Sequence, residues 1–228
     1  MKKTKNVIIL EEVTSTNEYL KQYYTQLPDQ TVVIAKKQLQ GKGRLSRTWK
    51  SDLGNLYMSI LKKGISRDSV FMELMNVSVS VVELLKQQGI DAYIKYPNDI
   101  IVGRKKICGI LIESMGFQIL DYLVIGIGIN VNQKDFQELS HKATSILIET
   151  EKLLDVETVG DNLIQMLQKE KDVYKEYVIH SYVIGKQIMY QGMPYIVTGV
   201  NRDGSMRLSG FKEINLTLNE ISLEELYE

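Results

Sequence analysis

Apolar positions along the chain switch between a period of two and a period of 3.6, and the switches mark the elements. Residues 7–10, 31–35 and 56–61 are short apolar runs rich in β-branched side chains, which predict strands. Between the first two, Ser15-Thr16-Asn17-Glu18 has the spacing of a capping box, with Ser15 capping a helix and Glu18 returning the bond. Leu20, Tyr23 and Tyr24 continue the apolar stripe, and Pro28-Asp29 ends it. Phe71, Leu74, Val77, Val81, Leu84 and Leu85 predict an amphipathic helix over 68–88, stopped by Gly89. Strands follow at 92–95, 99–102, 106–114 and 119–130, with hairpin turns at Gly103-Arg104 and Gly116-Phe117. A second long helix is predicted over 156–177. Past Tyr182, short β runs at 187–190, 195–200, 205–208 and 214–218 alternate with glycine turns, which predicts a small β-barrel of about fifty residues. This order argues for an α+β fold, a mixed β-sheet with helices packed on it rather than a doubly wound parallel sheet. The expected domains are 1–180 and 181–228.

Composition narrows the function classes. The 28 cations balance 28 anions, so no global field draws the chain to nucleic acid or a membrane surface. The single cysteine, Cys108, excludes an internal disulfide and points to a reducing compartment. His141 and His180 stand far apart without ligand-like neighbours, which argues against a zinc site. No signal peptide or membrane-spanning run is visible, so the expectation is a cytoplasmic protein without membrane or DNA partners.

Chemistry concentrates in three segments. Gly41-Lys42-Gly43-Arg44-Leu45-Ser46-Arg47-Thr48-Trp49 packs two glycines, three cations and the only tryptophan between two strands. Glycines let backbone N–H groups approach an anion, Arg offers a forked donor, and an indole offers a flat face. By itself this loop reads equally as an anion site or a solvated loop. In the second segment, Lys95-Tyr96-Pro97-Asn98-Asp99 is followed by Lys106. Strand alternation puts Lys106, Cys108, Ile110 and Ile112 on one core-facing row, where a lysine wants an anionic partner. Gly109 leaves bare backbone for a ligand to approach. The third segment, Gly126-Ile127-Gly128-Ile129-Asn130, bares one strand face either to a crossing helix or to a ligand.

In order, Ser15-Thr16-Asn17, the Gly-x-Gly-Arg-x-x-Arg-x-Trp loop, Lys95-x-Pro-Asn-Asp with Lys106-x-x-Gly-Ile-Leu-x-Glu, and Gly126-x-Gly-x-Asn resemble the biotin–protein ligases, which attach biotin to a lysine of acyl-CoA carboxylase carrier domains. The resemblance runs from about Glu12 to the C-terminus. It implies a class II synthetase-like biotin/lipoate ligase domain followed by a small Src-homology-3-like β-barrel. It also implies ATP and Mg²⁺, formation of biotinoyl-AMP with release of pyrophosphate, and transfer of biotin to a biotin carboxyl carrier protein. Lys106 would lie beside the biotin carboxylate and the α-phosphate, with Arg44 and Arg47 gripping oxygens from the loop. Gly41 and Gly43 would present N–H groups, and Lys42 belongs to the same biotin-binding set. Ser15, Thr16 and Gln38 would bond the ureido ring, Asn17 would support that segment, and Gly109 would wall the ring and tail. Trp49 would pack on adenine, with Lys95, Asn98 and Asn130 also on the nucleotide side. Asp99 has two candidate jobs, metal binding or positioning the incoming lysine amine.

Lys42, Ser46 and Tyr96 depart from the usual Arg, Gly and Trp of the family. The ligase region begins almost at Met1, which leaves no room for a helix-turn-helix repressor domain in this sequence. The sheet edges admit a homodimer. The arginine pair and glycine run of lipoate ligases and octanoyl transferases do not occur here. Retention of Lys106, Arg44 and Arg47 argues against a non-catalytic biotin sensor. The loop over about residues 40–50 is expected to be mobile without ligand.

Overall fold

Of the three apolar runs, 31–35 and 56–61 lie mid-sheet, where both faces are covered, whereas 7–10 belongs to an edge strand. The computed structural model describes residues 6–44, 47–217 and 220. Seven strands form one sheet: β1 (Val7–Val13), β2 (Val32–Gln38), β3 (Leu56–Lys62), β4 (Tyr93–Lys95), β5 (Asp99–Val102), β6 (Lys105–Gly116) and β7 (Leu120–Ile129). Their order is β1-β2-β3-β7-β6-β5-β4, with β1 and β2 parallel and every other pair antiparallel, so the sheet is mixed. Helix α1 (Thr16–Tyr23) makes the crossover between the parallel pair and packs on β3 and β7. Helix α2 (Val70–Gln87) packs on β4, β5 and β6, and Gly89 stops it at φ +81°. Its apolar stripe joins Val32, Met58, Ile110 and Ile127 in the main core, while Leu20, Val33, Leu61 and Val124 form a smaller core under α1.

Three expectations are corrected. Ser15 stands at the N-cap of α1 but makes no side-chain cap bond, and the Glu18 carboxylate turns to Lys21 and Lys42 instead. Charge pairing across elements has displaced the local capping box. The long helix predicted over 156–177 is two helices, α4 (Val156–Gln168) and α5 (Val173–His180), preceded by an unforeseen short α3 (Ile146–Thr150). Lys169 turns extended at ψ 132°, Lys171 Nζ reaches Ser80 Oγ at 2.9 Å and Glu83 at 2.8 Å, and the Asp172 side chain accepts from the Lys175 N–H to restart the helix. The interruption is tertiary, with neither glycine nor proline to announce it.

The third correction concerns the face of β6. Ile100 pairs with Cys108, but Ile101 pairs with Lys106, so Ile107 is an extra residue in β6. Such a bulge reverses the alternation. Cys108 and Ile110 stay in the core, while Lys106 moves to the face of Gly109.

Strands β8 (Gln187–Tyr190), β9 (Met193–Val200), β10 (Met206–Ser209) and β11 (Glu213–Leu216) form a second, antiparallel sheet in the order β11-β10-β9-β8. The predicted run 214–218 ends at Leu218, which lies outside the described residues. One apolar cluster continues from α2 and Tyr96 into Ile188, Tyr195, Val197 and Leu208 of this sheet. The buried Tyr96 hydroxyl donates to the Gly204 carbonyl at 2.6 Å, and Gly204, at φ +90°, lies against the Phe71 ring.

Candidate active site

Opposed bare backbone makes the floor of the site. Gly109 of β6 and Gly128 of β7 are register partners, and the indole of Trp49 lies over both. A Cβ on Gly128 would come within 2.7 Å of the indole, and one on Gly109 within 2.9 Å. Gly126 serves a different neighbour, because a Cβ there would collide with the Asn17 amide of α1. The helix reading of the Gly126–Gly128 face therefore holds at Gly126, while Gly128 is covered by the indole of Trp49. The Trp49 Nε1–H is buried with no hydrogen-bond partner, an unusual state for a donor.

One end of the floor is neutral and polar. Gln38 Oε1 accepts from the Thr16 N–H at 2.9 Å and from its hydroxyl at 3.1 Å, and Gln38 Nε2 donates to Ser51 Oγ at 3.0 Å. Ser59 Oγ lies 2.6 Å from both Thr16 Oγ1 and Asn17 Oδ1. Asn17 Nδ2 donates to Glu113 at 2.7 Å. Ser15, Thr16, Asn17 and Ser59 are all buried, and the bonds among the last three and Gln38 and Glu113 lock those groups in one orientation.

The other end is charged. The bulge brings Lys106 Nζ to 2.7 Å from Asp99 and 5.0 Å from the Trp49 ring centre. Arg44 Nη1 donates to Asn98 Oδ1 at 2.9 Å, and Asn98 Nδ2 donates to the Ile110 carbonyl at 2.6 Å. These bonds tie the basic loop to the Lys95–Asp99 segment, whose Tyr96–Pro97 peptide is cis. The loop also bonds to itself: Gly43 N–H donates to the Arg47 carbonyl at 2.7 Å and Trp49 N–H to the Gly41 carbonyl at 2.9 Å. The Gly43 N–H is thus engaged inside the loop. Gly41 has no room for a Cβ beside Ser51 and the Trp49 carbonyl. Ser46 lies outside the described residues. Three lysine–carboxylate contacts shift acidities on the outer side. Hydrogen bonds from Lys21 and Lys42 hold the Glu18 carboxyl below its usual range. For Lys21, burial pulls its pKa down, but bonds to Glu113 and Glu18 outweigh that and raise it.

These parts enclose one cavity of about 830 Å³, within the range of roughly 300–1,000 Å³ for small-molecule sites. Of the residues the resemblance assigns to the site, all but Gly41 line it. Asn130 does so with its Nδ2 committed to the Thr144 carbonyl at 2.9 Å, so part of its amide holds the chain beyond β7. Sequence reasoning missed Ser59 and the segment with Gln133, Phe136 and Lys142, which also borders the cavity. Lys142 fixes Lys106 through its carbonyl, which accepts the Lys106 N–H at 2.8 Å. No spacing signal marks these residues; only Glu113, closing the Lys106 motif, was visible.

The model of the Biotin/lipoate A/B protein ligase family matches residues 9–130. The chain belongs to that family. Among relatives of this ligase family, the bifunctional ligase/repressor BirA of Bacillus subtilis is 36% identical over 162 residues, covering 68% of this chain and 49% of that protein. The biotin–protein ligase of Homo sapiens is 29% identical over 234 residues, covering 89% of this chain and 32% of that one. The chain thus spans about half the length of the first and a third of the second. A biotin protein ligase from Aquifex aeolicus, solved in complex with biotin and ATP, superposes with a TM-score of 0.82 at 28% identity, over 96% of this chain and 98% of that one. The seven-stranded mixed sheet and the small C-terminal sheet are the architecture of that fold.

Proposed function

We propose that this protein is an ATP-dependent biotin–protein ligase. The observation that carries the reading is the division of one cavity into a neutral polar end, built by Thr16, Asn17 and Gln38, and a cationic end, built by Lys106, Arg44 and Arg47. Biotin has that polarity, with a neutral ureido ring at one end and a carboxylate at the other. The buried ring needs a partner for each donor and acceptor. The names of the relatives supply the substrate class.

In the first step, a biotin carboxylate oxygen attacks the α-phosphorus of ATP and the bond to pyrophosphate breaks. Negative charges approach each other there, and the Lys106 ammonium, with the loop arginines, offsets the charge that develops. Trp49 stacks on adenine, and its unpartnered N–H offers a donor to the ligand. In the second step, a carrier lysine attacks the acyl carbon of biotinoyl-AMP and AMP leaves. The Asp99 carboxylate, within reach of Lys106, orients that incoming amine. The closed loop keeps water from the mixed anhydride. We place this reaction in the cytoplasm, with a biotin carboxyl carrier domain as acceptor.

Magnesium is expected with ATP, but these residues do not build a site for it. Among the described residues no three ligating side chains converge, and Asp99 is paired with Lys106. An ion arriving with ATP would draw its oxygens from phosphate and water.

The test is incubation with biotin, Mg²⁺-ATP and a carrier domain, reading pyrophosphate release and a biotin-sized mass gain. Gain with the wild-type protein and its collapse in Lys106→Ala are expected. Biotin binding without pyrophosphate release would favour a non-catalytic sensor, and lipoate turnover in place of biotin would sink the substrate assignment.

A further inference from the structure

Glu18 does not line the cavity, yet its carboxylate ties the loop to the helix that builds the neutral end. It takes Lys42 Nζ at 2.5 Å and Lys21 Nζ at 2.8 Å. Lys21 in turn holds Glu113 at 2.6 Å, and Glu113 accepts the Asn17 amide. The charges alternate in sign along this path, which joins the basic loop, α1 and β6. It ends on Asn17, which bonds Ser59 and fills the space above Gly126. The inner members, Lys21 and Glu113, are only 20% and 27% exposed, so solvent and salt screen them less than the outer pair.

An isolated exposed ion pair contributes little. Glu18 does more, because it also separates two ammonium groups. Without its charge, Lys21 and Lys42 face each other and repel, and the loop loses its anchor. A lysine suits this contact, being a point charge on a flexible stem that needs no fork geometry.

We propose that Glu18 is a positioning residue that latches the 41–49 loop through Lys42 to α1, so that the neutral end and the cationic cover of the cavity close together. Its effect on turnover rests on the biotin ligase reading; the latch itself is measurable without ligand. Trp49 is the only tryptophan, so its fluorescence reports the loop directly. Acrylamide quenching is compared in ligand-free wild type, Glu18→Gln, Lys42→Gln and the double variant. Each single substitution is expected to raise the quenching constant about two- to five-fold, the scale of an exposed pair, and the double to match a single. The difference shrinks in 1 M salt, where the screening length is about 3 Å. In biotin-dependent pyrophosphate release, Glu18→Gln raises KM for biotin by a similar factor and leaves kcat within about two-fold, the mark of lost uniform binding. Wild-type quenching in Glu18→Gln, or a double variant whose effect is the product of the singles, overturns the latch. Altered quenching with unchanged KM overturns the positioning role. If the wild type turned over no biotin, the ligase reading would fall while the quenching cycle still decided the latch.

Discussion

At the scale of single residues, Lys106 gains its place from its neighbours: Asp99 at 2.7 Å, the Trp49 ring, and a glycine that leaves its stem room. Replacing Lys106 with Ala should lower pyrophosphate release by about 10²–10³-fold, the loss typical of one preorganised charge-stabilising donor, while the melting temperature barely moves. Gly128→Ala should act the opposite way round. A methyl there meets the indole, so overpacking of about 1–3 kcal/mol should displace Trp49 and shift its emission to the red. Glu18 yields a pH prediction. Its folded-state pKa lies below the ordinary 4.5, so its contribution is complete above that value and is lost as pH falls through the depressed one. Trp49 quenching should therefore rise below about pH 4.5 in the wild type and stay flat in Glu18→Gln. The sequence revealed the glycines and Lys106 because bare backbone and misplaced charge stand out against a strand pattern. It hid Ser59, a small polar residue inside an apolar run, and it hid the partner of Glu18, which is 24 residues away.

At the scale of elements, the Lys95–Asp99 segment is held from the C-terminal sheet. Tyr96 reaches the Gly204 carbonyl and Tyr177 of α5 donates to the Pro97 carbonyl at 3.1 Å. Burial pushes the Tyr96 hydroxyl pKa up, so it remains a donor across the working range. Tyr96→Phe strands a buried carbonyl and should cost about 1–3 kcal/mol, or roughly 2–12 °C in melting temperature by calorimetry. Activity should fall with it, since Asp99 and Asn98 follow Pro97 directly. Element types were legible wherever periodicity was strong, as in α2 and the β6–β7 hairpin. They were misread where tertiary contacts overrode local pattern: Lys171 on Glu83 splits one predicted helix into two, and lysine pairing unmakes the Ser15 capping box.

At the scale of the whole molecule, no helix among the described residues is long and apolar enough to cross a membrane. The net charge is zero, so the attraction of an anionic ligand is local to the cavity. Biotin with ATP at about 100 times Kd should stabilise the fold by about 2.7 kcal/mol, a shift of roughly 5–11 °C, and should slow proteolysis within the loop. Lipoate in place of biotin should do neither. The mixed-sheet class was readable, although the strand order, with crossovers through both α1 and α2, carries no mark in the sequence. The phase of β6 was not, and it governs more than its own strand. Keep every letter but let β6 run in regular alternation through Ile107, without the bulge, and the ammonium of Lys106 turns into the hydrocarbon beside Cys108. Ancestry in such a chain would be plain from its letters while its reactive centre lacked that ammonium, because what places it is the register of one strand against its neighbour and not the identity of any residue.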